Sequence, residues 1–238
     1  MPALDVADLG TILSVWAHPD DEGYCCGTIM ANAVRNGQRV VCVTATRGER
    51  GSTDESRWPN GPELAAVRTQ ELAAALAIFG VTEHEYFDYP DGGCADIDPD
   101  QAVARLRAVI DEVRPDTVLT FGPDGGTVHP DHSAVSRWVS AATAGTSIRV
   151  LHTVTTPEWQ ATVDELVPRE LVMMEDKEPV NVPAAECDLY VEIGGADLEQ
   201  KYRAMLCMES QIGPLLALGG IETYHALLHE EAFVMAVR

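Results

Sequence analysis

Residues 11–17, Thr-Ile-Leu-Ser-Val-Trp-Ala, form an uncharged, mostly apolar run that stops at His18-Pro19-Asp20-Asp21-Glu22. A run this short, bounded by turn-forming residues, reads as a buried strand. The next segment, 27–36, has helical spacing and ends at Gly37. Residues 39–46 (RVVCVTAT) form a second valine-rich strand, and a polar loop rich in Gly, Ser and Thr follows over 47–60. The chain then continues with a helix over 63–79 closed by Gly80, a brief strand at 85–87 and a helix over 100–113 between Pro99 and Pro115. A strand at 117–121, a helix over 130–144 and a strand at 149–155 complete the first 150 residues. Alternating strands and helices of this length define the α/β class with a mainly parallel sheet.

The remainder is less regular. It offers a helix over 157–166, an irregular proline-containing stretch over 166–186 and a strand over 188–193. One long amphipathic helix over 197–218 is expected to end at Gly219-Gly220. No clear linker interrupts the chain, so residues 1–238 are expected to form a single domain, the portion from about 150 completing the pocket.

Composition narrows the function. The 238 residues are 46% hydrophobic and 23% charged, which excludes disorder and a disulfide miniprotein. A net charge of −22 disfavours nucleic acid and anionic membranes as partners. The N-terminus has neither a basic nor an apolar signal region, and the six cysteines form no C-x-x-C pair. A cytoplasmic protein with reduced thiols is expected, and no membrane partner.

Two polar clusters carry the chemistry. His18-Pro-Asp20-Asp21-Glu22 follows the first strand, and His129-Pro-Asp131-His132 follows the strand at 117–121. Ligands of open α/β sheets bind beyond the carboxyl ends of strands, so one fold can bring both clusters to one cleft. A lone His-Pro-Asp is ordinarily a turn with a capping carboxylate. Two, each at a strand end, exceed what turn chemistry requires. Two histidines and a carboxylate form a catalytic metal set that keeps a position open for water.

These residues resemble the PIG-L / LmbE-like N-acetylglucosaminyl deacetylases. The likeness extends to Thr46-Arg-Gly-Glu49, Val67-Arg68-x-x-Glu71, Tyr89-Pro-Asp91-Gly92 and the segment from Lys201 to Ser210-Gln211. It implies a Rossmann-like three-layer αβα sandwich and a zinc-dependent hydrolase that removes an N-acetyl or other small N-acyl group from an amino sugar conjugate. Carried over by position, His18, Asp21 and His132 would hold Zn2+, with Fe2+ as the other candidate metal. Asp20 would be the general base, and His129, oriented by Asp131, would serve the oxyanion or leaving amine. Arg68 and Asp91 would grip the substrate. Some members that work on inositol-linked glucosamine carry a tyrosine shortly before the second cluster, where this chain has Thr127 and Val128.

Rival readings stay open. One is an amidase acting on N-acyl cysteine conjugates of a sugar thiol. Another is a non-haem Fe(II) oxygenase, which uses two histidines and a carboxylate but needs no adjacent base. The third is a binding protein without activity. His225-Ala-Leu-Leu-His229 lacks the glutamate of a zinc-protease helix and reads as a surface or interface helix. His84, His152, Cys25 and Cys26 read as packing residues. Glu22 is either a partner of a ligating histidine or a helix-dipole charge, and Glu49 either closes the pocket or caps a turn. The apolar stretch 225–237 suggests burial against a second copy of the chain, so a homo-oligomer is kept open. P-loop, dinucleotide and serine-elbow motifs are absent from the sequence.

Overall fold

A computed structural model describes residues 4–168 and 180–236. The strands β1 (Ile12–Trp16), β2 (Val40–Thr46), β3 (Glu83–Tyr89), β4 (Thr117–Phe121), β5 (Arg149–Val154), β6 (Leu189–Glu192) and β7 (Glu230–Met235) form one sheet. Its order is β3-β2-β1-β4-β5-β7-β6. The first five strands run parallel, whereas β7 pairs antiparallel with both β5 and β6. Every residue of β1, β2 and β4 is buried, but the edge strand β3 alternates exposed and covered positions. The unbroken apolar runs therefore reflect central strands covered on both faces.

The helices are α1 (Asp21–Arg35), α2 (Pro62–Phe79), α3 (Pro99–Val113), α4 (Pro130–Thr143), α5 (Pro157–Leu166), α6 (Gly195–Met205) and α7 (Glu209–Leu227). Helices α1, α2 and α6 pack together, as do α3 with α4, so helical layers sandwich the sheet. This is the expected three-layer α/β architecture. The closeness of the α1–α2 contact needs Gly27, since a Cβ there would run into the Phe79 ring. The residues 169–179 of the irregular stretch lie outside the described residues, as does Val237.

Three expectations need correction. Helix α1 begins at Asp21 rather than at 27, because it is two helical pieces joined at Cys26 (φ −150°, ψ 18°). The helical spacing identifies only the second piece. The long helix over 197–218 is two helices, α6 and α7, and α7 bends at Gly220 (φ 69°) instead of stopping there. The stretch after His225 supplies β7, which is covered within its own sheet rather than waiting for a second copy. Its Glu230-Glu231 start concealed a strand whose acids are compensated at long range. Glu231 pairs with Lys201 at 2.7 Å and accepts from the Thr28 and Ile29 amides at 2.8 Å each. Glu230 accepts from the Thr156 hydroxyl at 2.9 Å.

Candidate metal centre

Strand order reverses between β1 and β4, with β2 on one side and β5 on the other. A crevice opens at the carboxyl ends of such a pair. Leaving β1, the chain turns through His18-Pro19 into α1, with Asp20 at the N-cap in a positive-φ conformation (128°). Leaving β4, it passes Val128 (φ 62°) into α4. A β-branched residue at positive φ is strained, by about 1–3 kcal/mol. Both strained residues adjoin the proposed reacting groups.

His18, Asp21 and His132 converge. His18 Nδ1 lies 3.2 Å from His132 Nε2. The Asp21 carboxylate straddles the two rings, with Oδ2 3.6 Å from His18 Nδ1 and Oδ1 3.4 Å from His132 Nε2. Donors bound tetrahedrally at about 2.0–2.1 Å would stand about 3.3 Å apart, so the spacing fits a small divalent cation. His129 and the pair Asp91–Asp131 also bring ligand atoms within 4.8 Å of His18 donors, making it the hub of two overlapping clusters.

The hydrogen bonds decide which atoms can bind metal. His132 Nδ1 lies 2.9 Å from the Gly125 carbonyl, which requires a proton on that nitrogen and leaves Nε2 as a lone pair. His18 Nε2 lies 3.2 Å from Asp91 Oδ1 and 3.3 Å from Asp131 Oδ2, so it carries the proton and Nδ1 is free. Two lone pairs facing each other at 3.2 Å repel unless a cation or proton sits between them. Burial opposes charge on His18, but Asp131, Asp21 and Asp91 outweigh it and raise its pKa well above the usual value. Burial lowers the His132 pKa to about 4. Despite burial, His132 and His18 hold the Asp21 carboxyl well below its usual range.

The remaining residues take positions that the sequence does not specify. Asp131 is fully buried, and its carboxylate accepts from the Gly92 and Cys94 amides at 2.8 and 3.0 Å. It reaches His129 through its backbone amide, which donates to His129 Nδ1 at 3.1 Å, and not through its carboxylate. The carboxylate orients His18 instead. Asp91 accepts from the Arg50 amide at 2.7 Å and, beside His18, is held down to about 2 despite burial. Arg68 is 3% exposed and donates to the carbonyls of Pro19 (2.6 Å) and Gly48 (3.0 Å) and to Asp20 Oδ2 (3.1 Å). Arg68 and Asp91 thus brace Asp20 and His18 from within; neither is among the residues lining the adjacent cavity, nor are His18 and His129.

Asp20 does face that cavity, beside Asp21 and His132. Burial pushes its carboxyl up to about 7 against the pull of Arg68, and Asp21 adds to the rise. That value suits a group exchanging a proton near neutrality. Glu22 is fully buried and accepts from the Asp20 amide at 3.3 Å, so it holds the Asp20 turn and neither partners a histidine nor faces solvent. Burial, aided by the Asp20 charge, raises its carboxyl to about 8. Glu49 accepts from the Asp91 amide at 2.8 Å. Glu71 caps α7 by accepting from the Ser210 amide and hydroxyl at 2.8 and 2.6 Å. Burial, then the neighbouring His18, lowers the His129 pKa. With Nδ1 accepting from the backbone, the neutral ring carries its proton on Nε2.

The cavity measures about 380 Å3 and reaches from Asp20, Asp21 and His132 to side chains of β5, α5 and α7. Sequence reasoning missed Tyr24, Trp159 and Leu215 in its wall. Tyr24 lies three residues beyond Asp21 on α1, a spacing that places it on the same helical side and was the available signal. Trp159 and Leu215 reach the cavity through contacts distant in sequence. His225 instead packs edge-on against Tyr202, and His84 bonds Thr44 at 2.9 Å, both structural arrangements.

The fold is a doubly wound α/β sheet that brings His18, His132 and Asp21 together at its switch point. The chain belongs to the PIG-L family, described as GlcNAc-PI de-N-acetylase, whose sequence pattern matches residues 13–143. A similar curated protein is the 1D-myo-inositol 2-acetamido-2-deoxy-alpha-D-glucopyranoside deacetylase of Kineococcus radiotolerans. The two are 38% identical over an alignment of 151 positions that covers 52% of this chain and 42% of that protein. The chain thus spans less than half the length of that relative in the matched region. Among solved structures, N,N'-diacetylchitobiose deacetylase from Pyrococcus horikoshii superposes with a TM-score of 0.64 at 22% identity, over 96% of this chain and 84% of its own. The 4-carboxy-2-hydroxymuconate hydratase GalB of Pseudomonas putida superposes with a TM-score of 0.59 at 19% identity, over 97% of both chains. The fold hosts more than one reaction, so the reaction has to be argued from the site.

Proposed function

We propose that this protein is a zinc-dependent hydrolase that removes the acetyl group from the nitrogen of a glucosaminyl conjugate. The observation that carries the reading is the convergence of His18 Nδ1, His132 Nε2 and the Asp21 carboxylate, with Asp20 beside them on the cavity wall. The family membership and the name of the curated relative supply the acetamido sugar. His18, Asp21 and His132 would hold zinc, which would supply polarisation of the acetyl carbonyl and a water with its pKa lowered to about 7. Asp20 takes the proton of the attacking water, its Oδ2 held by Arg68. His129 offers its Nε2–H to the carbonyl oxygen as negative charge develops there. Asp20 then returns the proton to the departing amine, giving acetate and a free amino sugar. Asp131 and Asp91 fix the tautomer of His18, as carboxylates commonly do behind a ligating imidazole.

We also read residues 1–238 as one domain, because cavity walls come from both the parallel strands and the segments after β5. Among the described residues, no helix is long and apolar enough to cross a membrane. A cytoplasmic setting belongs to the same proposal and is supported by six unbridged cysteines. The test is acetate release from a panel of N-acetylglucosamine conjugates before chelation, after it, and with zinc restored. Release lost on chelation and recovered with zinc is expected. An intact panel together with no bound metal overturns the reading.

A further inference from the structure

Away from Asp20, Asp21 and His132, the cavity wall is built largely from Tyr24, Val154, Trp159, Val180, Leu215 and Leu227. Polar side chains interrupt it, but the donors of most of them are turned to the protein. The Trp159 indole N–H donates to the Leu227 carbonyl at 3.1 Å, and the Thr53 hydroxyl to the Ser210 carbonyl at 2.6 Å. The Gln211 amide nitrogen donates to the Ser210 carbonyl and hydroxyl, both at 3.0 Å. Gln160 donates to Asp164 at 2.8 Å, and Thr155 to Asn181 at 2.5 Å. The Tyr24 hydroxyl is paired with that of Tyr224 at 2.9 Å.

Two acids of this wall are held by the protein, whereas the third, Asp124, accepts from the Val180 amide at 3.2 Å through one oxygen. Glu231 is held by Lys201 and two α1 amides, and Glu230 by the Thr156 amide and hydroxyl and the Tyr190 hydroxyl. A hydroxyl-rich group entering here, away from Asp124, would shed its water and find few donors free among the described residues to replace it. An apolar group would lose nothing and cover apolar surface.

We propose that this wall is an aglycone subsite and that the substrate is an N-acetylglucosaminide carrying an apolar aglycone, an alkyl chain or aromatic ring, in place of a polyol. The inference rests on the deacetylase reading for the bond that is cleaved. That reading makes the acyl group an acetyl, so the apolar surface must face the other end of the substrate. Continuity of the cavity with Asp20, Asp21 and His132 places this group in the same bound molecule, and a volume of about 380 Å3 is in the range of a small-ligand site.

The test uses the full chain loaded with zinc and compares the methyl and hexyl glycosides of N-acetylglucosamine. Acetate release gives kcat/KM, and calorimetry gives Kd for each. The hexyl glycoside is expected to exceed the methyl glycoside in kcat/KM by about 100-fold. In Leu215→Asn the hexyl-to-methyl ratio should fall toward one. Val180→Asn, at a position 51% exposed and safe for folding, should lower it as well. Release from both glycosides at equal efficiency overturns the subsite and leaves the deacetylase reading standing. An unchanged ratio in both variants overturns this wall as the place where the group binds. Preference for a methyl glycoside bearing an N-hexanoyl group assigns the apolar surface to the acyl chain and overturns the aglycone assignment. If neither glycoside is cleaved, tighter binding of the hexyl compound upholds the subsite while the deacetylase reading fails. Equal binding in that case defeats both.

Discussion

The two halves of the sheet are built differently and supply different things. The half β3-β2-β1-β4 is parallel and presents His18, Asp20, Asp21, His129 and His132 from the turns and first helical turns that follow β1 and β4. Its backbone is strained where those groups sit, at Asp20 and Val128. The half β5-β7-β6 is antiparallel at its outer pairs and none of the proposed reacting groups lies on it. With α5 and α7 it supplies the far wall of the cavity. Reacting groups must be held to fractions of an ångström, and rigid parallel strands ending at a switch point do that. A wall that sorts substrates only has to have the right shape and polarity. The halves are joined behind the site, where Glu231 of β7 caps the second piece of α1 and Lys201 of α6 neutralises it.

This division can be broken most sharply at Asp20. Asp20→Asn should lower kcat by about 1,000-fold with little change in metal content, as loss of a general base commonly does. Metal analysis beside steady-state kinetics checks it. The same group sets a pH limb. Asp20 works ionised and its carboxyl is raised to about 7, so kcat/KM should fall as pH drops through that region. The positive charge of bound metal moves the limb to lower pH, and Asp20→Asn should abolish it. A pH profile that keeps its acid limb in the variant would assign the limb to another group.

Lys201→Met tests the tie between the halves. It leaves the fully buried Glu231 without its cation, and breaking such a pair costs about 3–5 kcal/mol. Denaturant unfolding should show that loss. Asp131→Asn acts closer to the chemistry but more mildly. It weakens the acceptor behind His18 and should reduce zinc affinity by about 10–100-fold, measured by competition with a chelator. The smallest effect is expected at Val128→Gly, which relieves a positive φ and should stabilise the fold by about 1 kcal/mol in thermal unfolding. Slower turnover in that variant would show that the strain helps to aim His129.

Much of the parallel half was legible because its signals are local. β4 has the expected ends, and the two His-Pro-Asp clusters sit between their strands and the helices that follow; in the other half, α5 also has its expected ends. The break between α6 and α7 was not legible, because amphipathic spacing runs through it. Nor was β7, since two adjacent acids at its start argue against a buried strand until Lys201 and Thr156 are seen beside them.

By itself the sequence determined the α/β class, the family and the set of histidines and carboxylates that would meet, because strand ends and short motifs are encoded by neighbouring residues. Only the tertiary structure decided which partner each group faces. Asp131 lies behind His18 and not His129, Arg68 braces Asp20, and Asp91 pairs with His18. The reason is physical. A carboxylate or guanidinium takes whichever oppositely polarised group the fold carries to within about 3 Å, and in this site those groups come from loops dozens of residues apart.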